Sequence, residues 1–263
     1  MLRIALVGAG RMGQAIVSEI AALPGLELAG VCVRKSGQAA AIERLAAVGL
    51  GTDTPVVTDP REIFGNADVA IDFSLPQASV SVADAAVAAK KPLVCGVTGL
   101  DSTGLSALYA ASATIPLLYD RNMSIGIAVM MGLVQRAAAA LGNDFSASVV
   151  DIHHRHKRDA PSGTALKLGE ALAKGRGREF QAVYHYDPDG SRDKPSAGDI
   201  VFAVTREGEN PGEHSVRFAG SNEILQLTHQ VTNRRVFAQG ALRAACWLVD
   251  QRQGFYSLSD ITA

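Results

Sequence analysis

The sequence predicts a doubly wound parallel α/β sheet followed by a second, sheet-forming α+β domain, and three observations carry that expectation. Short apolar runs alternate with segments of helical periodicity from residue 3 to residue 141. A Gly-x-Gly-x-x-Gly turn closes the first of those runs. Past Asp144 the pattern changes, and strand-like runs follow one another between Gly, Asn and Pro.

Taken in order, "RIALVG" is a buried strand ending in glycine, and "RMGQAIVSEIAAL" sets Met12, Ile16, Ile20 and Leu23 at helical spacing. "LELAGVCV" is a second strand, followed by an Ala-rich helical stretch to about Val48. "DVAIDFS" then "PQASVSVADAAVAAK", "PLVCGVTG" then "DSTGLSALYAAS", and "IPLLYD" then "IGIAVMMGLVQRAAAAL" repeat the alternation. Apolar strands alternating with helices imply a parallel sheet covered on both faces. The later part offers "FSASVVDIHH", the helical "SGTALKLGEALAK", and the strands "DIVFAVTRE", "HSVRFAG" and "NEILQLTHQV". A last helix, "RVFAQGALRAACWLVDQ", has an apolar face that must pack on one of the domains.

Composition narrows the function. Hydrophobic residues make up 48% and charged residues 19% of the 263, as expected of a globular chain with a substantial core. The net charge of −1 argues against non-specific nucleic-acid binding, which needs a marked excess of Lys and Arg. Cys32, Cys95 and Cys246 are far apart in apolar runs, so neither a disulfide framework nor a CxxC metal site is expected. The apolar stretch from Met123 to Val134 falls short of the roughly 20 residues a bilayer needs, and "MLRIALVGAG", with one charge and a short apolar run before glycine, is not expected to act as a secretory signal. The expected setting is cytoplasmic, with no membrane partner.

The motif "GAGRMG" places Gly8, Gly10 and Gly13 between the first strand and the first helix, the context a dinucleotide fingerprint requires. Gly8 permits the tight turn, Gly10 lets the backbone approach a pyrophosphate, and Gly13 lets the helix pack closely. The amides of Arg11, Met12 and Gly13 then face the phosphates. A Rossmann-type nucleotide domain is the expectation. Where NAD-specific folds carry Asp or Glu after the second strand, this chain reads "VCVRKSG", so Arg34 and Lys35 stand near a 2′-phosphate and NADPH is favoured over a possible NADH.

The segment "IHHRHKRDAPSGT", residues 152 to 164, gathers protons and positive charge. If the strand "SVVDI" continues, Asp151, His153, Arg155 and Lys157 share one face, with Ile152, His154 and His156 on the other; if the segment is helical, positions 153 and 157 still share a face at i and i+4. His153 carries a proton in either direction near neutral pH, and Lys157 donates one if Arg155 and Arg158 lower its pKa. Ser162 is placed as an N-cap, leaving the Gly163 and Thr164 amides as donors to a carboxylate or phosphate. His154 and His156 form an HxH pair, but no third ligand lies at diagnostic spacing, and no metal is expected.

"VGAGRMG", "HHRHKRDAPSGTAL" and a late "GEH" together resemble the 4-hydroxy-tetrahydrodipicolinate reductase (dihydrodipicolinate reductase) family of the diaminopimelate route to lysine. The likeness runs through "DFSLP", "CGVTG", "NMSIG", "GDIVFA", "LTHQ" and "FAQGALRAACWL". It implies an oxidoreductase that transfers a hydride from NAD(P)H to a small dicarboxylate, and a cytoplasmic homotetramer. The implied domains are residues 1–122, completed by about 235–263, for the dinucleotide, and 123–234 for substrate and tetramer assembly. By motif, His153 would be the general acid/base and Lys157 the proton donor, while His154, Gly163 and Thr164 would hold substrate carboxylates. Gly96, Val97 and Thr98, with Asp120, Arg121, Asn122 and Met123, would line the nicotinamide side. Val33 stands where some relatives carry a glutamate, and Val97, Asp120, Arg121 and Met123 also depart from the common pattern. Two other readings stay open: a two-domain reductase of a different anionic imine, and a non-catalytic nucleotide sensor.

Overall fold

The structure is a computed structural model that describes residues 1–188, 195–196 and 198–262. It divides into two compact units, residues 1–124 with 235–263 and residues 125–234.

The first unit opens with β1 (Leu2–Val7), α1 (Arg11–Ala22), β2 (Leu26–Cys32), α2 (Gln38–Ala46), β3 (Val56–Val57) and α3 (Arg61–Phe64). It continues with β4 (Val69–Asp72), α4 (Ser79–Ala89), β5 (Leu93–Cys95), α5 (Ser102–Ser112) and β6 (Pro116–Tyr119). The strands form one parallel sheet that reverses direction of growth between β1 and β4, where Ile4 to Val7 pair with both β2 and β4. Ligand crevices of open α/β sheets form at such a reversal, beyond the carboxyl ends of the strands. Side chains alternate across the sheet, so Ala5, Val7, Ala70, Leu93 and Leu117 pack with Phe64, Val82, Ala86 and Leu108 from α3, α4 and α5. Leu6 faces the other way, toward α1.

The second unit comprises α6 (Ile125–Leu141), β7 (Ser146–His153), α7 (Gly163–Gly175), α8 (Phe180–Val183), β8 (Tyr184–Tyr186), β9 (Ile200–Arg206), β10 (Glu213–Ala219) and β11 (Ile224–Gln230). Its sheet is mixed, ordered β11-β10-β7-β9-β8, with β10 antiparallel to both β7 and β11. The chain then returns to the first unit as α9 (Arg235–Leu248) and β12 (Gly254–Tyr256), which adds a parallel strand beside β6. α9 packs along α1, where the buried Glu19 carboxylate accepts from Arg235 Nε and from Gln239 Nε2 at 3.1 Å.

The structure differs from the sequence reading at several elements. Leu23 is exposed, because α1 ends at Ala22 and the next residue is extended; Val17 and Glu19 take the buried positions instead. β3, α3, α8, β8 and β12 are two to four residues long, too short for hydrophobic periodicity to register. Among the described residues no helix is long and apolar enough to cross a membrane.

Candidate active site

The glycine turn lies at the sheet reversal. Gly8 has φ +104°, and a β-carbon there would stand 2.5 Å from the Phe73 carbonyl oxygen, so only glycine fits. A β-carbon on Gly13 would meet the Gly8 carbonyl oxygen at 2.0 Å, which is how closely α1 sits over the turn. Among the described residues nothing lies within 4 Å of a β-carbon built on Gly10, leaving open space beside the first amides of α1, whose first turn has no acidic side chain. Arg11 is exposed and Met12 half-buried. A cavity of about 340 Å³ extends from here, lined among others by Gly8, Gly10, Val33, Arg34, Arg44 and Leu75. Free helix-terminal amides, open space and two guanidinium groups fit a phosphorylated dinucleotide. Arg44, on α2, was not singled out from sequence; its signal was a cation about two helix turns beyond Gly37, legible only once α2 is placed.

Gly96, Val97 and Thr98 follow β5. Gly96 is pressed by the Phe73 ring, Val97 is in the core and Thr98 is exposed. After β6, the buried Asp120 carboxylate accepts from the Asn122 N–H at 3.2 Å, and Asn122 Oδ1 from the Ser124 N–H at 2.9 Å. Met123 is buried and Arg121 exposed. Val97, Asp120 and Met123 therefore shape this segment from within and present backbone rather than side chains at the surface.

In the second unit β7 alternates as expected through Ala147, Val149, Asp151 and His153, all buried. The strand stops at His153, and residues 155 and 156 form a turn, so the extension of one face to Arg155 and Lys157 does not hold. The backbone turns because the His154 N–H donates to Asn210 O and the Arg155 N–H to Gly208 O, replacing a strand ladder with a loop partner. Nor is Lys157 set among cations: its Nζ lies 2.8 Å from Asp159 Oδ2, while Arg155 pairs with Glu209. His154 and His156 sit with ring centres 6.1 Å apart, and His156 is exposed. Loss of hydration, then the Arg234 guanidinium, lowers the His154 pKa.

Ser162 caps α7, its Oγ accepting from the Ala165 N–H at 3.2 Å; Gly163 is exposed and Thr164 partly so. The Ser162 N–H donates to Asp151 Oδ2 at 2.7 Å, and Oγ lies 3.1 Å from His214 Nε2. Asp151 Oδ1 lies 2.8 Å from His153 Nδ1 and 3.4 Å from His214 Nε2, and Arg206 Nη2 donates to Oδ2 at 2.9 Å. Burial alone would raise the Asp151 carboxyl, but His153, His214, the Ser162 N–H and Arg206 outweigh it and hold it far below the usual carboxylate range. Burial lowers His214 despite that carboxylate. The donor types of Asp151, His153 and His214 suit a cation, and their donor atoms lie within 4.8 Å of one another, yet the Arg206 guanidinium already supplies the compensating charge. Sequence reasoning named His153 but missed His214 and Arg206, which reach Asp151 from strands more than 50 residues away.

Two family models match, "Dihydrodipicolinate reductase, N-terminus" over residues 2–123 and "Dihydrodipicolinate reductase, C-terminus" over residues 126–262. The chain belongs to the dihydrodipicolinate reductase family. Proteins named 4-hydroxy-tetrahydrodipicolinate reductase from Anaplasma marginale and Sulfurimonas denitrificans are 38% and 37% identical over 261 residues, covering 99% of this chain and 99% and 98% of theirs. Among solved structures, the dipicolinate-bound dihydrodipicolinate reductase from Paenisporosarcina sp. TG-14 is similar with a TM-score of 0.79 at 23% identity, covering 99% of both chains. The dihydrodipicolinate reductase fold thus accounts for the parallel sheet and the mixed sheet, and membership makes the chain an oxidoreductase of the diaminopimelate route.

Proposed function

We propose that this dihydrodipicolinate reductase converts 4-hydroxy-tetrahydrodipicolinate to tetrahydrodipicolinate with NADPH, His153 acting as general acid/base and Lys157 as proton donor. One water leaves and one hydride and one proton are gained. The observation that carries this reading is the joining, through Asp151, of an imidazole at the end of β7 to the anion-binding start of α7. The Gly163 and Thr164 amides and His154 would hold the two substrate carboxylates, with Arg234 adding positive charge. The Paenisporosarcina relative, described as dipicolinate-bound, supports a planar dicarboxylate as ligand.

When bound, the nicotinamide supplies the hydride. The α1 amides of Arg11, Met12 and Gly13 would take the pyrophosphate, Arg34 and Arg44 the 2′-phosphate, and residues 96–98 and 120–123 the nicotinamide side. Electron density that builds on the substrate ring is quenched by a proton from Lys157, whose ammonium Asp159 holds in place. His153 sets orientation and protonation.

We further assign a cytoplasmic homotetramer assembled through residues 125–234. β11 is an edge strand whose Ile224 and Leu225 are exposed, as are Val129 and Leu133 of α6; an apolar edge of this kind suits a second copy. Leu225→Asp is expected to lower the mass measured by light scattering.

Steady-state oxidation of NADPH and NADH with the pathway intermediate tests the whole reading. His153→Ala and Lys157→Ala are expected to lose about a hundredfold or more in kcat while still binding NADPH. Near-normal turnover in either would remove its role. Arg34→Glu is expected to move preference toward NADH, and an unchanged ratio would take Arg34 out of cofactor selection.

A further inference from the structure

Asp151 occupies a core position. Ala147 and Val149 precede it on the same face of β7, and an aliphatic side chain would pack there without the cost of burying a charge. The carboxylate is instead the centre of a network drawn from four segments. From its own strand comes His153, from β10 His214, from β9 Arg206, and from the start of α7 the Ser162 N–H. Arg206 extends the network: Nη2 also donates to the Asp159 carbonyl at 2.7 Å, and Nη1 to the Asp151 carbonyl at 3.1 Å. Asp159 in turn meets the Lys157 ammonium. One buried carboxylate therefore touches His153 and the start of α7 and reaches Lys157 through Arg206 and Asp159.

We infer that Asp151 is the positioning residue of the site, its Oδ1 holding the His153 ring with the proton on Nδ1 and its Oδ2 fixing the α7 start and, through Arg206, the Asp159–Lys157 pair. The inference rests on the reading of His153, Lys157 and the α7 start given above. The two oxygens divide the work, and that division makes the inference testable. In Asp151→Asn an oxygen in the Oδ2 place still accepts from Ser162 and Arg206, while an NH₂ in the Oδ1 place presents a donor to Nδ1 and drives the imidazole proton to Nε2. In Asp151→Ala both functions are lost. A residue that only stabilised the unit would move kcat, KM and thermal stability together.

The first measurement reads the wild type and uses a variant only to assign the signal. In ¹⁵N-histidine spectra of the full-length wild type, with His153 assigned by its loss in His153→Gln, the neutral ring is expected to carry its proton on Nδ1; a bare Nδ1 would overturn the inference. Asp151→Asn is expected to switch that tautomer and to lower kcat about 10- to 100-fold with KM changed less than about threefold. Pyridine-2,6-dicarboxylate, titrated calorimetrically, is expected to bind Asp151→Asn nearly as it binds wild type and Asp151→Ala at least tenfold more weakly. An Asn variant with wild-type kcat and an unchanged His153 spectrum would overturn the inference. Wild type that does not turn over the pathway intermediate would instead sink the proposed reaction, and the spectra and the dicarboxylate titration would still judge Asp151.

Discussion

A β-carbon built on Gly212 would stand 2.9 Å from His153 Nε2, and the backbone there has φ +150°, which L side chains rarely adopt. Gly212→Ala is therefore expected to push the imidazole from its place against Asp151 and to cut kcat about tenfold or more, with NADPH affinity unchanged; a fluorescence titration beside steady-state kinetics checks both. Asp72 supplies a second case at this scale. It is fully buried at the end of β4, its Oδ1 accepts from the Ser74 N–H at 2.8 Å, and Oδ2 has no partner among the described residues. Burial pushes its carboxyl up to about 6. The folded protein therefore keeps a proton that the unfolded chain releases near pH 4, so stability falls as pH rises from about 4 to about 6 and is level above, a loss on the order of 2–3 kcal/mol. Asp72→Asn is expected to flatten that decline in urea titrations across the window; identical slopes would assign it to other groups. Neither feature was legible beforehand, because "DFS" and "GEH" do not say which oxygen is buried or which backbone passes a ring.

The α1–α9 contact is an ion pair set within an apolar seam, and its two partners are not equivalent. Glu19 is buried and Arg235 about half exposed, so Arg235→Ala leaves the carboxylate with Gln239 alone among the described residues, at a cost on the order of 1–3 kcal/mol read from thermal melts. Hydrogen bonding from Arg235 lowers the Glu19 carboxyl. That stability is present above the ordinary carboxylate pKa and fades as pH falls through the lowered one, so the variant and wild type should converge in acid. Periodicity made α1, α4 and β7 readable, β1 and β4 were legible as short continuous apolar runs, and Ser162 announced α7 because a side-chain oxygen is needed where the first N–H groups lack partners. It failed at β3, β8 and β12, where neighbouring strands impose the extended form, and at residues 154–158, where loop carbonyls at Gly208 and Asn210 end the strand. The alternation rule was right about Asp151 and His153 and wrong beyond them for that reason.

At the scale of the molecule, the parallel sheet with its glycine turn was legible because local order and chain order coincide there. The site in the mixed sheet was half legible: His153, Lys157 and Ser162 are neighbours in sequence, whereas Arg206 and His214 arrive by strand pairing that no local pattern reveals. The first unit depends on its last segment. α9 buries Ala238, Ala241, Leu242, Ala245 and Leu248, and β12 closes the sheet edge beside β6. A chain ending at Arg234 is expected to lose NADPH binding and the cooperative melt of that unit while the β7–β11 sheet keeps its dispersed amide spectrum, which two-dimensional NMR would separate. The interruption of the nucleotide unit by residues 125–234 also orders events during synthesis. A ribosome delivers the whole mixed-sheet unit before it releases the helix that completes the parallel one, so the newborn polypeptide can close its first unit only after the inserted half has already emerged.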